Sequence, residues 1–362
     1  MIGGFLQDDI FDAIVIGAAV AGSRTAGIMA ESGKSVLLIE ENTNVGHPCK
    51  CTGLVSWRIK ELLPTMPQSL FVNTVQEARF YSPKGNGMLL KSKKPVYVID
   101  RPGLDKYLFD LAQEAGVQTR VGEKFVSYEV KEDHVEVKTD RDVYRGRIII
   151  GADGANSMVG KQAGLRYPET YLVGVQTTAS GKFDKVELWF GSKVSPKFFA
   201  WVVPENENVA RIGLATDRNA GKYYEEFLSN RVGEFVKPDV GGIIRFGIME
   251  RTCDDRLMVV GDAACQVKPY SGGGIIMGLV SSRVCAEAAV KSLKQKDFSR
   301  KFLVENYDRK WKSKIGGGIK RGLALNKILN SSDKSLDVMI SAGRLGSKIL
   351  GRMDMDLINF FA

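Results

Sequence analysis

Six small or β-branched residues, Gly17-Ala18-Ala19-Val20-Ala21-Gly22, stand between an apolar run, Phe11 to Ile16, and a segment with helical spacing, Ser23 to Glu31. Gly33 ends that segment, and Ser35 to Ile39 is a second apolar run that finishes at Glu40. Strand, tight turn, helix and strand in so short a span open a parallel α/β sheet. Small side chains in such a turn let the helix N-terminus approach a pyrophosphate, whose charge meets free backbone N–H groups and the helix dipole. A carboxylate about 20 residues on, at the end of the second strand, accepts hydrogen bonds from ribose hydroxyls. Glu40, with Glu41 beside it, takes that place. Ala19 replaces the usual middle glycine, so one methyl group must be accommodated where the backbone comes nearest the ligand. The bland alternative is a tight turn followed by an exposed glutamate.

Two later segments return to the same end of that sheet. Asp153-Gly154 follows the apolar run Val143 to Ile150, and Gly261-Asp262-Ala263-Ala264 follows Leu257 to Val260. An Asp at the C-terminal end of a strand lies where ligands bind in an open α/β sheet. Between these segments the pattern changes. Residues 72 to 98 alternate around a break at Pro83 to Gly87, Leu104 to Ala115 is helical, and Val121 to Val137 supplies further strands. Tyr171 to Ala215 is strand-like, and an apolar helix from Ile275 to Leu293 follows a triple glycine. A chain of 362 residues exceeds one hydrophobic core. The expected organisation is a discontinuous dinucleotide domain (1–71, 100–166 and 251–293), an inserted β-sheet substrate domain (72–99 and 167–250), and a basic helical region (294–362).

Composition narrows the class. With 44% apolar and 26% charged residues the chain is ordinary globular protein. No apolar run approaches the ~20 residues of a membrane span, and the N-terminus has no basic flank followed by a cleavage site. The expected location is cytoplasmic, with a peripheral position at the inner face of the membrane as the extension. Five cysteines, two of them separated by one residue at Cys49 and Cys51, argue against a disulfide framework. His47 and His134, the two histidines, do not suffice for a metal site, and the cysteines lack a four-ligand iron–sulfur spacing.

The three glycine and aspartate segments, in this order and at these intervals, resemble the p-hydroxybenzoate hydroxylase-type FAD superfamily. The resemblance implies an FAD-binding Rossmann-like α/β fold with an inserted antiparallel β-sheet substrate domain and a helical C-terminus. It implies that Asp262 holds the ribityl chain and that Gly272-Gly273-Gly274-Ile275 presents backbone N–H groups near the flavin pyrimidine. It further implies that Arg101, in Asp100-Arg101, approaches the cofactor, and that Val126 offers backbone contacts to adenine.

Within that superfamily, Pro196-Lys-Phe-Phe-Ala-Trp201-Val-Val-Pro204 is similar to the Pro-x-x-Tyr-x-Trp-x-Phe-Pro motif of the geranylgeranyl reductase family, whose members include the archaeal digeranylgeranylglycerophospholipid reductases. Phe199 replaces the tyrosine and Val203 the phenylalanine. A strand there lines an apolar tunnel with alternate side chains, and aromatic walls bury isoprenoid surface without demanding polar partners. An ordinary half-buried strand is the alternative. Cys51-Thr-Gly-Leu-Val-Ser56 resembles the family's cysteine-bearing loop over the isoalloxazine, which implies a cofactor contact and a catalytic role for Cys51. Reduction of an unactivated alkene needs a proton as well as a hydride, and a thiol is one donor. Cys49 is an equally reachable alternative, and a small packed thiol is the bland one.

The resemblance implies a reductase that saturates prenyl double bonds of polyprenyl lipids, fed by ferredoxin or NAD(P)H. Two rivals share the cofactor segments: a monooxygenase of an aromatic or quinone substrate, and a membrane-surface flavoprotein that passes electrons to quinone. From Lys291 to Lys327 twelve Lys or Arg accompany three Asp or Glu, a surplus equal to the +9 of the whole chain. Tyr307, Trp311, Ile315, Ile319, Leu323 and Ile328 recur there at near-helical spacing, as in a basic amphipathic helix lying on anionic headgroups. Gly316-Gly317-Gly318 should break or kink it. No nucleic-acid motif accompanies the charge.

Overall fold

The structure, a computed structural model, describes residues 10–233, 235–350 and 356. The outer ends of the first and last expected regions, 1–9, 351–355 and 357–362, lie outside the described residues. Apolar side chains on both faces put the first strands inside a sheet covered by helices. These are β1 (Ile10–Ile16) and β2 (Val36–Glu40), joined by α1 (Val20–Glu31). The chain then leaves through β3 (Leu54–Ser56), α2 (Ile59–Leu62), β4 (Phe71–Tyr81) and β5 (Gly87–Ile99). It returns with α3 (Arg101–Glu114), β6 (Gln118–Val121), β7 (Phe125–Val130), β8 (Val135–Thr139), β9 (Val143–Gly151) and α4 (Met158–Gln162). A second departure contains β10 (Tyr171–Ser180), β11 (Val186–Phe190), β12 (Phe199–Pro204), β13 (Val209–Thr216), α5 (Ala220–Val232) and β14 (Val240–Arg245). The last return brings β15 (Cys253–Asp254), β16 (Leu257–Val259) and α6 (Ile275–Gln295), followed by α7 (Arg300–Leu303), α8 (Arg309–Trp311), α9 (Gly317–Leu329) and α10 (Asp333–Leu350).

The first sheet has the order β15-β16-β9-β1-β2-β6, with the β7–β8 hairpin continuing from β9. β16, β9, β1, β2 and β6 are parallel, and Gly151 is in register with both Ile16 and Val259. The turns after β1, β9 and β16 therefore open side by side at one sheet end. The second sheet runs β14-β10-β13-β12-β11-β4-β5-β3. It is antiparallel except for β11, which runs parallel to β4, because the chain visits the first sheet between these two strands. β3, inside the expected 1–71 segment, pairs with β5 and so belongs to the second sheet.

Boundaries shifted where caps and turns decide them. α3 starts at Arg101 rather than Leu104, since the Asp100 carboxylate accepts the Gly103 N–H at 3.1 Å and Pro102 is pre-set for a first turn. The triple glycine at 316–318 does not break the helix. Two wide π-helical turns, Val304–Asp308 and Lys312–Gly316, carry one helical path from α7 into α9.

The basic amphipathic surface expected between Lys291 and Lys327 is corrected by the packing. Tyr307, Trp311, Ile315 and Ile319 are fully buried in the core formed by α1, α3, α6 and the first sheet. Their stripe is an internal face, so it has no apolar area to give a membrane; Leu323 is partly buried against the same core and Ile328 alone is exposed. Among the described residues, no helix is long and apolar enough to cross a membrane.

Candidate active site

The turn after β1 is closed so tightly that two of its positions exclude any side chain. Gly17 has φ +99°, and a Cβ there would lie 2.5 Å from the Ala152 carbonyl oxygen. At Gly22 a Cβ would lie 1.8 Å from the Gly17 carbonyl oxygen. These glycines let α1 start directly over β1 and β9. Ala19 is the N-cap and offers no side-chain cap, and no acidic residue follows in the first turn. Its methyl group is exposed, outside the glycine contacts.

Carboxylates converge on this uncapped helix start. Glu40 Oε2 accepts the Ala18 N–H at 2.8 Å, and its Oε1 accepts the Asn42 backbone and side-chain N–H groups at 3.0 and 2.7 Å. Asp105 accepts a backbone hydrogen bond from Val20 and pairs with Arg101, whose Nε lies 3.1 Å from Oδ2. Burial lifts the Asp105 carboxyl above its ordinary value despite the pull of Arg101. Burial alone would lower the Arg101 guanidinium, but Asp105 and Cys51 more than compensate and hold it charged. Glu41, by contrast, is exposed.

The third segment is locked to the first. Gly261 has φ +70°, and a Cβ on it would meet the Ala21 Cβ at 2.7 Å. Its N–H donates to Gln266 Oε1 at 2.7 Å, and Gln266 Nε2 donates to Tyr307 Oη, which in turn donates to the Val259 carbonyl. Asp262 follows, open to the cleft yet ringed by protein. Burial among those groups raises its carboxyl, against Arg101 and with Asp105. A Cβ at Gly274, the N-cap of α6, would lie 2.7 Å from Asp262 Oδ1. Gly272 has φ +67° and borders Ile244 and Phe198; Ile275 is buried behind it. A Cβ on Gly322 would come 2.8 Å from Pro269, so α9 buttresses this loop closely, and Asn326 Nδ2 donates to the Pro269 carbonyl.

Two of the expected positions are bonded within the protein. Asp153 is consumed by α4, accepting from Ser157 Oγ and from the Met158 and Val159 N–H groups. Val126 lies on β7 with 43% of its surface exposed, and its carbonyl accepts from Gln162 Nε2 at 2.8 Å. Just before β7, the Gly122 and Glu123 N–H groups donate to the carbonyls of Asn42 and Glu40 at the end of β2.

Cys51 Sγ accepts the Gly53 N–H at 3.3 Å and shares a hydrogen bond with Arg101. Cys49 Sγ donates to the Cys51 carbonyl at 3.5 Å, and burial raises its thiol above the ordinary range. His47 is exposed. The loop is held from the second sheet. Gln176 Oε1 accepts both Thr52 Oγ1 (2.7 Å) and Trp201 Nε1 (2.9 Å), and Arg211 Nη1 donates to the carbonyls of Thr52 and Ile99. β12 is buried on both faces rather than half-buried. Phe199, Trp201 and Val203 pack with Phe190, Phe198 and Met88 under Leu336 and Ile340 of α10, while Ala200 and Val202 pack against α5. Pro204 is the last residue of β12, and Pro196 lies in the turn before the strand.

Gln176 and Arg211 were not singled out in the sequence, although a charge inside the apolar run Val209 to Thr216 is a signal, since buried charges need partners. The residues present fit FAD: a side-chain-free turn at an uncapped helix start, a strand-end Glu40, a buried cation at Arg101, and Asp262 facing the loop Gly272–Gly274. Among the described residues, no His, Cys, Asp or Glu group could hold a metal ion.

Comparison with known proteins agrees. Residues 11–282 match the family "FAD binding domain". The digeranylgeranylglycerophospholipid reductase of Methanocaldococcus jannaschii is 32% identical over 95% of this chain and 93% of its own length. That of Methanococcoides burtonii named reductase 1 is 30% identical, over 98% and 91%. A geranylgeranyl bacteriochlorophyll reductase-like structure from Thermoplasma acidophilum has the same fold, with a TM-score of 0.86 at 24% identity over 95% of this chain and 96% of that one. p-Nitrophenol 4-monooxygenase from Pseudomonas putida shares the fold at a TM-score of 0.74 and 15% identity, over 94% and 96%.

Proposed function

The chain belongs to the FAD binding domain family and, within it, to the FAD-dependent geranylgeranyl reductases, and from that premise we propose that it saturates the C=C bonds of geranylgeranyl chains carried by a membrane-lipid precursor. Bound and reduced, FAD supplies hydride to one alkene carbon. The chain's own residues do the rest. Gly17 to Gly22 and α1 would receive the pyrophosphate, and Glu40 would hold the ribose. Arg101 would meet an anionic part of the cofactor, and Asp262 would accept from the ribityl chain.

The aromatic face of β12 orients the alkene. Phe199 and Trp201 supply contact area with no unpaired polar atom, because the indole N–H is already bonded to Gln176. Cys51 Sγ, held by the Gly53 N–H and Arg101, delivers the proton to the second carbon. The observation that carries this reading is the Trp201–Gln176–Thr52 link, which fixes the cysteine loop and the aromatic wall to a single side-chain amide. The domain boundaries named above divide the labour: the first sheet holds cofactor, the second holds lipid. Electrons arrive from ferredoxin or NAD(P)H.

The test is an anaerobic half-reaction. Dithionite-reduced protein mixed with a geranylgeranyl lipid should reoxidise as the lipid gains two mass units per double bond. Flavin that stays reduced until oxygen or quinone is added would overturn the reading in favour of a monooxygenase or an electron-transfer protein.

A further inference from the structure

Exposed lysines sit on aromatic rings just beyond the cysteine loop. Lys60 Nζ lies 4.7 Å from the centroid of the Phe71 ring and 4.8 Å from that of Tyr97, and these two rings meet edge to face at 5.0 Å. Lys94 Nζ lies 3.2 Å from the centroid of the Trp57 ring, which the buried Arg58 also approaches at 4.8 Å. Lys60 and Lys94 are exposed, and Trp57 and Phe71 are half-buried, so ammonium groups stand between these rings and water.

The strands build this arrangement. β3 pairs antiparallel with β5, Leu54 against Val98 and Ser56 against Val96, and Trp57 follows at once. On its other side β5 is in register with β4 at Val96 and Val75, and again at Lys91 and Glu77, which leaves Ser92 to Pro95 opposite Gln76 alone. That bulge is tied by Ser92 Oγ, which accepts the Lys94 N–H at 3.3 Å and donates to the Lys94 carbonyl at 2.7 Å. It carries Lys93 and Lys94, both exposed. Lysines and bulges at a sheet edge ordinarily prevent edge-to-edge pairing. That role needs exposed charge, but it does not need ammonium groups seated on rings of other elements.

The charge of the patch is largely unopposed. Within 56–62 and 91–95, four exposed lysines, Lys60, Lys91, Lys93 and Lys94, accompany one exposed carboxylate, Glu61. Lys91 pairs with Glu77 at 3.4 Å, and among the described residues no carboxylate is paired with Lys60, Lys93 or Lys94. The patch therefore fits an anionic partner. An acidic protein would satisfy the ammonium groups, but rings beneath them favour a partner with an apolar interior. A bilayer offers both, because aromatic rings settle at the headgroup level while lysine stems follow apolar surface and keep their charge among the phosphates.

We infer that Lys60, Lys93 and Lys94, with Trp57 and Phe71, form the surface by which this protein docks on an anionic lipid bilayer. The ammonium groups pass from ring to headgroup phosphate as the two surfaces meet, and the uncovered rings enter the headgroup layer. Membrane contact then falls on the second sheet, not on the helices after α6. Since Trp57 follows β3 and the Cys51 loop directly, docking here brings the bilayer to the loop that carries the proton donor. That last consequence rests on the reductase reading; the docking itself does not.

Co-sedimentation of the FAD-loaded protein with phosphatidylcholine vesicles, with and without phosphatidylglycerol, tests the surface. The wild type should bind the mixed vesicles, less so at high salt. Lys60→Glu/Lys94→Glu should bind them at least about tenfold more weakly, since each lysine near an anionic surface is worth about fivefold. Equal binding to neutral and anionic vesicles, or a double variant that binds like the wild type, would overturn the proposal. If that variant fails to retain FAD or to melt cooperatively, Lys60→Gln/Lys94→Gln serves in its place. Brominated acyl chains should quench tryptophan fluorescence in the wild type and not in Trp57→Phe; quenching that persists there puts the contact elsewhere and overturns the assignment. Full vesicle binding by the double variant, with slower reduction by an acidic iron–sulfur donor protein, would give the patch to that protein instead. Wild-type turnover of detergent-dispersed geranylgeranyl lipid with slowed turnover of vesicle lipid supports docking. Vesicle binding that is lost in the double variant, with no lipid reduction by either protein, leaves the surface standing and removes the reductase reading.

Discussion

Arg211, on a strand of the second sheet, places its guanidinium 2.5 Å from the carbonyl oxygen of Thr52, a residue 159 positions away in the loop that carries Cys51. The same side chain donates to the Ile99 carbonyl at 2.9 Å and pairs with Glu205 at 2.6 Å. A Cβ at Gly53 would lie 2.6 Å from its Nη1, so the turn is shaped around the guanidinium. Arg211→Ala should slow alkene reduction by about tenfold to a hundredfold, the cost of a misplaced reacting group. FAD content should be unchanged. Arg211→Lys should recover little, because one ammonium cannot span two carbonyls and a carboxylate. Single-turnover reoxidation of the reduced protein, with kcat and KM measured separately, checks this; a change confined to KM would point to lipid binding instead of loop position.

Cys51→Ala should keep FAD and lose about 10²- to 10⁴-fold in turnover, the usual worth of a positioned proton donor. Cys49→Ala should lose far less. Burial raises the Cys49 thiol, so its alkylation should be slower near neutral pH than that of an exposed cysteine, which peptide mass spectrometry can follow.

Gly22→Ala should abolish FAD binding, because the new methyl would press 1.8 Å from a backbone oxygen that has nowhere to go. Gly221→Ala is the control. Nothing lies within 4 Å of a Cβ there, and the position is helical, so a gain of about 0.5–1 kcal/mol is expected. Flavin absorbance after gel filtration and a denaturation curve read the two effects.

Asp262 links cofactor binding to pH. Its folded-state carboxyl is raised by burial, with Asp105 adding and Arg101 opposing. Its contribution to the stability of FAD-free protein is therefore fully present below the unfolded pKa and is lost as pH rises through the folded one. Asp262→Asn should melt higher than wild type at alkaline pH without FAD, with the gap closing as pH falls. It should also bind FAD more weakly. Equal melting temperatures at all pH values would remove the assignment.

Trp311→Ala should cost about 3–5 kcal/mol, since the ring is fully buried and its Nε1 donates to Thr252 Oγ1 at 2.8 Å. Liposome binding should not respond to this substitution beyond the loss of folded protein. A folded variant with weakened attachment to anionic vesicles would show that the stripe reaches lipid after all.

Short-range patterns were readable in the sequence, and long-range ones were not. The turn Gly17–Gly22, Glu40 and Asp262 each follow a strand within a few residues, so periodicity and residue size place them. Asp153 follows a strand in the same way, yet its carboxylate is taken by α4, a helix too short to show its own pattern. Gln176, Arg211 and Asp105 gain their meaning from partners that only the packed sheets supply. Lys268 is the one charge between Gln266 and Gly274, which marks it as needing a partner without naming one. The basic stripe misled for a related reason: helical spacing reports that a face is apolar, not which surface it meets.

The return of β16 to the side of β9 carries a consequence for how the protein is made. On the ribosome, the turn after β1 emerges early, but Gly261, which Ala21 contacts, and the loop to Gly274 emerge about 240 residues later. At the usual elongation rate of about 5–20 residues per second, the nascent chain spends on the order of ten seconds or more without the third wall of its flavin cleft. Cofactor loading is therefore a late step of biogenesis, and a chain truncated before α6 would be released without a site to load.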